Sequence, residues 1–168
     1  MRSGNKRWQA LTGWDRLNGQ WLRRKHFTAQ ALARIAAHIS SSELRHTGEL
    51  MVAVEGATPP HENDSHMRAL EVFGRLRAWD TPLNTGILLY LALDKRSIQI
   101  IADRGIAAHD SAWADVCSQL QTRFQQGEFI DGVLSAIDAI EQVLLVSCPP
   151  LASGQTGHND LSDTPVLL

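Results

Sequence analysis

The chain has 168 residues, of which 43% are hydrophobic, and a net charge of −2. This length accommodates one domain with a hydrophobic core and is short for two. The hydrophobic fraction excludes a wholly disordered chain, and no apolar stretch reaches the roughly 20 residues that span a bilayer. Only Cys117 and Cys148 are present, so the sequence indicates neither a disulfide framework nor a cysteine-based metal site.

Residues 1–26 form a basic lead in which apolar side chains recur every three to four positions. Within residues 1–27, seven Lys and Arg residues stand against Asp15 alone, which gives a local charge of +6. The recurring apolar residues predict one stripe of a helix: Trp8, Leu11, Trp14, Leu17 and Trp21. Gly13 and the Asn18–Gly19 pair favour two shorter helical pieces as the alternative.

A basic end on an acidic body indicates an interaction segment rather than a nucleic-acid-binding one. The sequence allows two roles for this segment. It could dock on the domain or on a partner, or it could contact an anionic membrane surface. The residues assigned to that contact are Trp8, Trp14, Trp21, Arg23, Arg24 and Lys25. The lead has no uninterrupted apolar core of the secretory type, so a reducing cytoplasm is the expected compartment, with peripheral membrane contact at its inner face.

The next elements alternate between helix and strand. A helix is predicted over 27–46 with Thr28 as its N-cap, and a strand over 48–55. After a loop, residues 65–79 predict a helix that buries Met67, Leu70, Phe73 and Leu76. The apolar run 87–94 and the run 97–102 then predict a β-hairpin.

Two further helices and a tail complete the chain. One helix starts at Asp110 or Ser111 and the other spans about 129–146. Past Pro149 and Pro150 the composition turns to Gly, Ser, Thr, Asn and Asp, which predicts a disordered tail over 148–168. Helices separate the first two strands, so a right-handed crossover should make them parallel, with the third strand antiparallel. The fold class is therefore α/β, a three-layer α/β/α sandwich with a small mixed sheet.

Polar loops flank the predicted hairpin at one end. Asp80 and Asn84 precede its first strand, and Asp103 and Arg104 follow its second. Because an antiparallel pair brings the start of one strand beside the end of the other, these loops should meet. Asp80, Asn84 and Asp103 offer oxygen ligands to Ca²⁺ or Mg²⁺, and Arg104 offers donors to a phosphoryl group. The alternative is ordinary turn chemistry, since Asp and Asn are common turn residues.

A second polar group surrounds the entry to the first strand. Glu43, His46 and Glu49 have the residue types and spacing of a transition-metal site, or they face water and cap backbone groups. No Gly-x-Ser-x-Gly elbow, phosphate-cradling loop or cysteine-phosphatase loop is present.

The hairpin motifs carry a family resemblance. Thr47-Gly48-Glu49-Leu50, Asn84-Thr85-Gly86, Asp103-Arg104-Gly105-Ile106 and Phe124-Gln125-Gln126-Gly127-Glu128-Phe129 occur in the order and spacing of a TPM domain. Residues 27–147 therefore resemble the TPM family of bacteria and chloroplasts, and most closely its small bacterial members without a signal peptide.

The resemblance implies an α/β/α domain, divalent-cation binding and, as in a plant member, weak acid phosphatase activity. Ala107 stands where many relatives carry an acidic residue, which removes one oxygen ligand. Similar bacterial proteins are encoded near LemA-type and membrane-anchored TPM proteins. The resemblance thus implies an accessory role in envelope homeostasis with a membrane-associated partner, or a cation-dependent phosphatase.

Overall fold

The fold is described from a computed structural model that covers residues 14–154 and 159–168, with only the backbone described at Trp14. Within these ranges the helices are α1 (Trp14–His26), α2 (Ala29–Ser42), α3 (Ser65–Arg75), α4 (Asp110–Gln125) and α5 (Phe129–Ser147). The strands are β1 (Glu49–Glu55), β2 (Gly86–Ala92), β3 (Ser97–Ala102) and β4 (Val166–Leu167). One turn of 3-10 helix, Glu43–Arg45, precedes β1.

The four strands form one mixed sheet in the order β3-β2-β1-β4. β1 and β2 are parallel, with Leu50 opposite Ile87, and β2 and β3 form the antiparallel hairpin. β1 and β2 are buried at every position because helices cover both faces of the sheet. The predicted parallel pairing of β1 with β2, the antiparallel hairpin and the α/β class are confirmed.

Helices cover the two faces of the sheet unequally. On one face α2, α4 and α5 bury a hydrophobic cluster that includes Ile35, Leu120 and Ile137 against alternate residues of β1 and β2. On the other face α3 packs Ala69 and Val72 against the remaining alternate residues. The period-two alternation of side chains along β1 thus separates two cores, and the three-layer arrangement follows.

Helix α1 runs without a break through Asn18 and Gly19, from Trp14 to His26, while Gly13 and the residues before it lie outside the described residues. A Cβ built at Gly19 would lie 2.0 Å from the Gly56 carbonyl oxygen and 2.7 Å from the Asp94 backbone nitrogen. Gly19 is therefore what lets α1 approach the loop after β1 and the hairpin turn. This close approach requires a glycine at position 19, although a glycine inside a helix costs about 1 kcal/mol relative to alanine.

The predicted buried face of α3 is wrong at Met67 and Leu70, whereas Phe73 and Leu76 are half-buried and pack against the smaller core. Met67 and Leu70 are 52% and 40% exposed, whereas Arg68, Ala69 and Val72 are buried. The helix also ends at Arg75 rather than at residue 79, and Arg77 adopts a positive φ of 56° just beyond it. The physical reason is a buried ion pair, because Arg68 Nη2 lies 2.7 Å from Glu55 Oε1 on β1 and rotates its own side of the helix inward.

The tail differs from the predicted disordered segment at its last residues. Val166–Leu167 forms β4, parallel to β1, and the Leu168 backbone nitrogen donates to the Val54 carbonyl at 2.9 Å. The Arg23 guanidinium donates to the Leu168 backbone oxygen. Composition missed this strand because its pairing partner, β1, lies more than a hundred residues earlier in the chain.

Candidate functional site

The two polar loops meet at one end of the β2–β3 hairpin, as the antiparallel pairing predicts. The Asp103 backbone nitrogen donates to the Gly86 carbonyl at 2.9 Å, and the Gly105 nitrogen donates to the Asn84 carbonyl at 2.8 Å. Asn84 has a positive φ of 55°, a conformation that Asn tolerates better than most residues. The loops are therefore joined through their main chains.

The side chains at this end form a small polar group. The Arg104 Nη2 atom donates to Asn84 Oδ1 at 3.2 Å, and the Arg104 backbone nitrogen donates to Asp103 Oδ1 at 2.7 Å. Asn84 and Asp103 are partly buried, while Arg104 is exposed. We call Asn84, Asp103 and Arg104 the hairpin-loop group. It offers an amide oxygen, a carboxylate oxygen and a guanidinium to a ligand at the surface.

Asp80, the third predicted oxygen ligand, is placed differently. Its Oδ2 atom accepts from Arg77 Nη2 at 2.6 Å in an exposed pair. Within the described residues, no group of three or more His, Cys, Asp and Glu side chains is arranged to hold a metal ion. All three members of the hairpin-loop group were thus anticipated from the sequence, whereas Asp80 pairs with the neighbouring Arg77.

The second predicted group lies at the entry to β1 and consists of Glu43, His46 and Glu49. These side chains accept hydrogen bonds from backbone N–H groups. Glu43 Oε1 accepts from the Leu50 nitrogen at 2.8 Å, and His46 Nδ1 accepts from the Gly48 nitrogen at 3.1 Å. All three side chains are buried. Burial lowers the pKa of His46, despite the opposing effect of nearby Glu141. These contacts match the alternative in which the three residues cap backbone groups rather than bind a metal.

Glu49 fastens the tail to this same end of β1. Its Oε2 atom accepts from the backbone nitrogens of Asp160 and Leu161 at 2.9 and 2.8 Å. Burial raises the pKa of Glu49 to about 7, and the nearby Asp160 carboxylate adds to the rise. Burial likewise raises the pKa of Glu43 to about 8, with further contributions from Asp163 and Glu49.

The sequence reasoning missed the polar cluster at the opposite end of β1. Arg68 donates through Nε and Nη2 to both carboxylate oxygens of Glu55, at 3.0 and 2.7 Å, and Tyr90 Oη donates to the same carboxylate. All three residues are buried. An arginine on an amphipathic helix is expected at the surface, so the sequence around Arg68 gives no sign of the pair. The only available signal is Glu55, which stands in the otherwise apolar strand β1 and therefore needs a buried partner.

The basic lead supplies a different kind of surface. Leu17 and Trp21 on α1 are 70% and 53% exposed, and the Lys25 Nζ atom lies 4.5 Å from the Trp21 ring centroid. Arg24 is also exposed. We call Leu17, Trp21, Arg24 and Lys25 the outer face of α1; their spacing places them on one side of the helix.

The remaining predicted contact residues do not all join this face. Arg23 instead contacts the Leu168 oxygen. Trp8 and the Trp14 side chain lie outside the described residues. Of the predicted contact residues, the described part of the chain places Trp21, Arg24 and Lys25 on this face, together with Leu17.

Neither cysteine is poised as a nucleophile. Burial raises the pKa of both Cys117 and Cys148 to about 11, so each is a thiol rather than a thiolate at neutral pH.

Together these features define a small α/β/α domain with a polar loop group at one end of its hairpin and a helix that carries an exposed apolar and basic face. A family model described as the TPM domain, TPM_phosphatase, matches residues 23–143, and the chain belongs to this family. No helix in the described part of the chain is long and apolar enough to cross a membrane. No curated protein matches the chain.

Similar solved structures include those of two other proteins. The BA42 protein of the psychrophilic bacterium Bizionia argentinensis, solved by NMR, is 28% identical with a TM-score of 0.72, over 83% of this chain and 94% of that one. The N-terminal domain of the cg2496 protein of Corynebacterium glutamicum is 12% identical with a TM-score of 0.53, over 78% of this chain and 84% of that one. The second likeness concerns the fold alone.

Proposed function

We propose that this TPM-domain protein is an accessory binding protein of the bacterial envelope, located in the cytoplasm at the inner face of the membrane. In this proposal the outer face of α1 contacts a membrane-associated partner of the LemA type or a membrane-anchored TPM protein. The observation that carries the proposal is the exposure of Leu17 and Trp21, at 70% and 53%, beside Arg24 and Lys25.

The outer face of α1 contributes little to the fold, whereas the opposite side of the helix is seated closely. Gly19 lies against the Gly56 carbonyl and Asp94, and Leu22 packs against the larger core. A helix anchored on one side presents the other side at small entropic cost, which favours binding. Exposed Trp and Leu provide apolar contact area, and adjacent cations suit an acidic or anionic surface.

The test compares two paired substitutions that remove similar exposed apolar groups. Leu17→Ala/Trp21→Ala alters the outer face of α1, and Met67→Ala/Leu70→Ala alters exposed residues of α3. We would measure co-sedimentation with vesicles containing a LemA-type or membrane-anchored TPM protein, and with protein-free vesicles of anionic or neutral lipid. Binding to the protein-bearing vesicles that falls at least tenfold for the α1 variant alone supports the proposal.

Equal binding by the two variants, or no binding by the unmodified chain, contradicts this proposal. Equal affinity for protein-free anionic vesicles would replace the protein partner with the lipid surface. Because neither substitution pair lies in a core, both variants should keep the thermal stability of the unmodified chain, which a melt would verify.

A second candidate, a divalent-cation-dependent phosphatase, is favoured by the contact between the two hairpin loops. Asn84 and Asp103 supply oxygens of the kind that Ca²⁺ and Mg²⁺ prefer, and Arg104 lies beside both. A bound cation would polarise a phosphoryl group, and the guanidinium would hold its oxygens. In this alternative, Arg104 exchanges its hydrogen bond to Asn84 for one to substrate.

Thermal melts of chelator-treated protein with added Ca²⁺ or Mg²⁺ test this candidate. A cation at about a hundred times its dissociation constant should stabilise the protein by about 2.7 kcal/mol. Asp103→Asn should remove that gain together with any release of phosphate from p-nitrophenyl phosphate. Asp80→Asn is the matched control, because Asp80 pairs with Arg77 and should leave the gain unchanged. An unshifted melt excludes the cation site.

A further inference from the structure

We propose that the chain binds a small amphipathic carboxylate in a cavity formed by α1, the turn of the β2–β3 hairpin and the junction of α4 with α5. The cavity has a volume of about 320 Å³ and lies beside the hairpin turn, at the opposite end of the hairpin from the hairpin-loop group. The apolar part of the ligand would lie against Leu22, Ile98, Phe124 and Phe129. Its carboxylate would contact Arg96.

The apolar wall is built from three separate parts of the fold. Leu22 comes from α1, Ile98 from β3, and Phe124 and Phe129 from the two sides of the α4–α5 junction. The Phe124 and Phe129 ring centroids lie 4.8 Å apart, and His26 stacks on Phe129 at 4.3 Å. Because these rings support one another, the wall is largely formed before a ligand arrives, as is usual for small-molecule sites.

The polar lining carries one positive charge and no negative charge. Arg96 is its cation, and the other polar side chains are neutral: Asn18, Ser97, Gln121 and Gln125. Within the described residues, no Asp or Glu lies within ion-pair distance of Arg96. A guanidinium with free donors at the edge of an apolar wall matches a carboxylate, which accepts two parallel hydrogen bonds.

Size and charge together limit the ligand class. A volume of about 320 Å³ is at the low end for ligand sites, which favours a medium-length acyl chain or a single aromatic ring. One cation without a neighbouring carboxylate favours a monoanion over a more highly charged phosphate ester. The inference is independent of the proposed function, because Leu17 and Trp21 on the outer face of α1 are not part of this lining.

The conformation of Arg96 provides a sharp test. Its φ is 51°, in the left-handed region that glycine adopts without strain. Arg96→Gly therefore removes the guanidinium at a position where the backbone suits glycine, and the variant should fold. Lys95→Gln is the matched control, since Lys95 is the adjacent exposed cation of the same turn and does not line the cavity.

The experiment measures binding of decanoate and of uncharged decan-1-ol to the full chain by isothermal titration calorimetry. We expect decanoate to bind about tenfold or more tightly than decan-1-ol, because hydrogen bonds to a charged group contribute more than neutral ones. Arg96→Gly should abolish that difference, and Lys95→Gln should preserve it. Gln125→Trp, which places a large ring at the cavity from an exposed helix position, should weaken binding of both compounds.

Three results overturn the proposal: no decanoate binding to the unmodified chain, equal affinities for the two compounds, or an unchanged affinity ratio in Arg96→Gly. The variant Leu17→Ala/Trp21→Ala separates this proposal from the proposed function. It should retain decanoate binding while losing vesicle binding, and loss of decanoate binding there would place the compound on the outer face of α1 instead.

Discussion

The two ends of β1 carry similar carboxylates in dissimilar electrostatic environments. Glu49 and Glu55 lie on the same face of the strand and are 4% and 3% exposed. Glu55 is held by the Arg68 guanidinium and the Tyr90 hydroxyl, whereas Glu49 faces two backbone N–H groups and the Asp160 carboxylate. The two buried carboxyl groups are thus accommodated in different ways. Glu55 has a permanent positive charge beside it, whereas the pKa of Glu49 is raised.

The comparison shows which end of the strand responds to pH. An arginine stays charged over the whole accessible range, so the countercharge beside Glu55 is permanent. At the other end, the pKa values of Glu49 and Glu43 are raised to about 7 and about 8, and these acids take up protons on folding. Their contribution to stability is therefore greatest below about pH 4.5 and is lost as the pH rises toward 8.

The largest effect is expected from breaking the pair at the Glu55 end. Arg68→Met leaves the Glu55 carboxylate buried without its cation, and the free energy of unfolding should fall by about 3–5 kcal/mol at pH 7. Urea denaturation measures this loss. Arg68→Met/Glu55→Gln should recover most of it, and Arg75→Met, at an exposed position of the same helix, should change little. A loss below about 1 kcal/mol for Arg68→Met would contradict the assignment.

A smaller effect of opposite sign is expected at Glu43. Glu43→Gln removes a charge that is unfavourable once the pH exceeds about 8, while its amide oxygen still accepts from the Leu50 nitrogen. The free energy of unfolding should rise by about 1–3 kcal/mol at pH 8.5 and should not rise at pH 4. Urea denaturation at both pH values checks this, with exposed Asp115→Asn as the control. Equal effects at the two pH values would contradict the raised pKa.

The smallest effect is expected at Glu49, because its carboxylate already accepts two backbone N–H groups that partly stabilise the charge. Glu49→Gln should change the free energy of unfolding at pH 8.5 by less than about 1 kcal/mol. The Gln amide oxygen can accept from both backbone nitrogens but carries no full charge, so both contacts weaken and amide hydrogen exchange at Asp160 and Leu161 should become faster. A stability gain as large as that of Glu43→Gln would show that these contacts do not offset the charge.

Much of the fold follows from local patterns in the sequence. The apolar runs around Leu50 and Leu89 predict buried strands, and Thr28 is the N-cap of α2, where its Oγ1 atom accepts from the Ala31 nitrogen. Long-range pairings are not visible locally. The face of α3 depends on Arg68 meeting Glu55, and the continuity of α1 depends on Gly19 fitting against Gly56.

The candidate site likewise combines features that local sequence predicts with features that depend on long-range contacts. The meeting of Asn84 with Asp103 and Arg104 follows from the hairpin, since antiparallel pairing determines which loops are neighbours. The placement of Asp80 depends on the end of α3, where Arg77 turns back to pair with it. The contacts of Glu49 depend on a tail segment about 110 residues later, so only the folded arrangement reveals them.

The contact between Glu43 and the Leu50 nitrogen has a consequence for how the chain is made. The Leu50 N–H lies on the edge of β1 that β4 joins, and the carboxylate that accepts from it belongs to Glu43, only seven residues earlier in the chain. The strand β4 follows more than a hundred residues later. During synthesis, part of this edge can be occupied long before Val166 leaves the ribosome. An uncovered strand edge invites pairing with another chain, so an early local acceptor protects the nascent protein from aggregation.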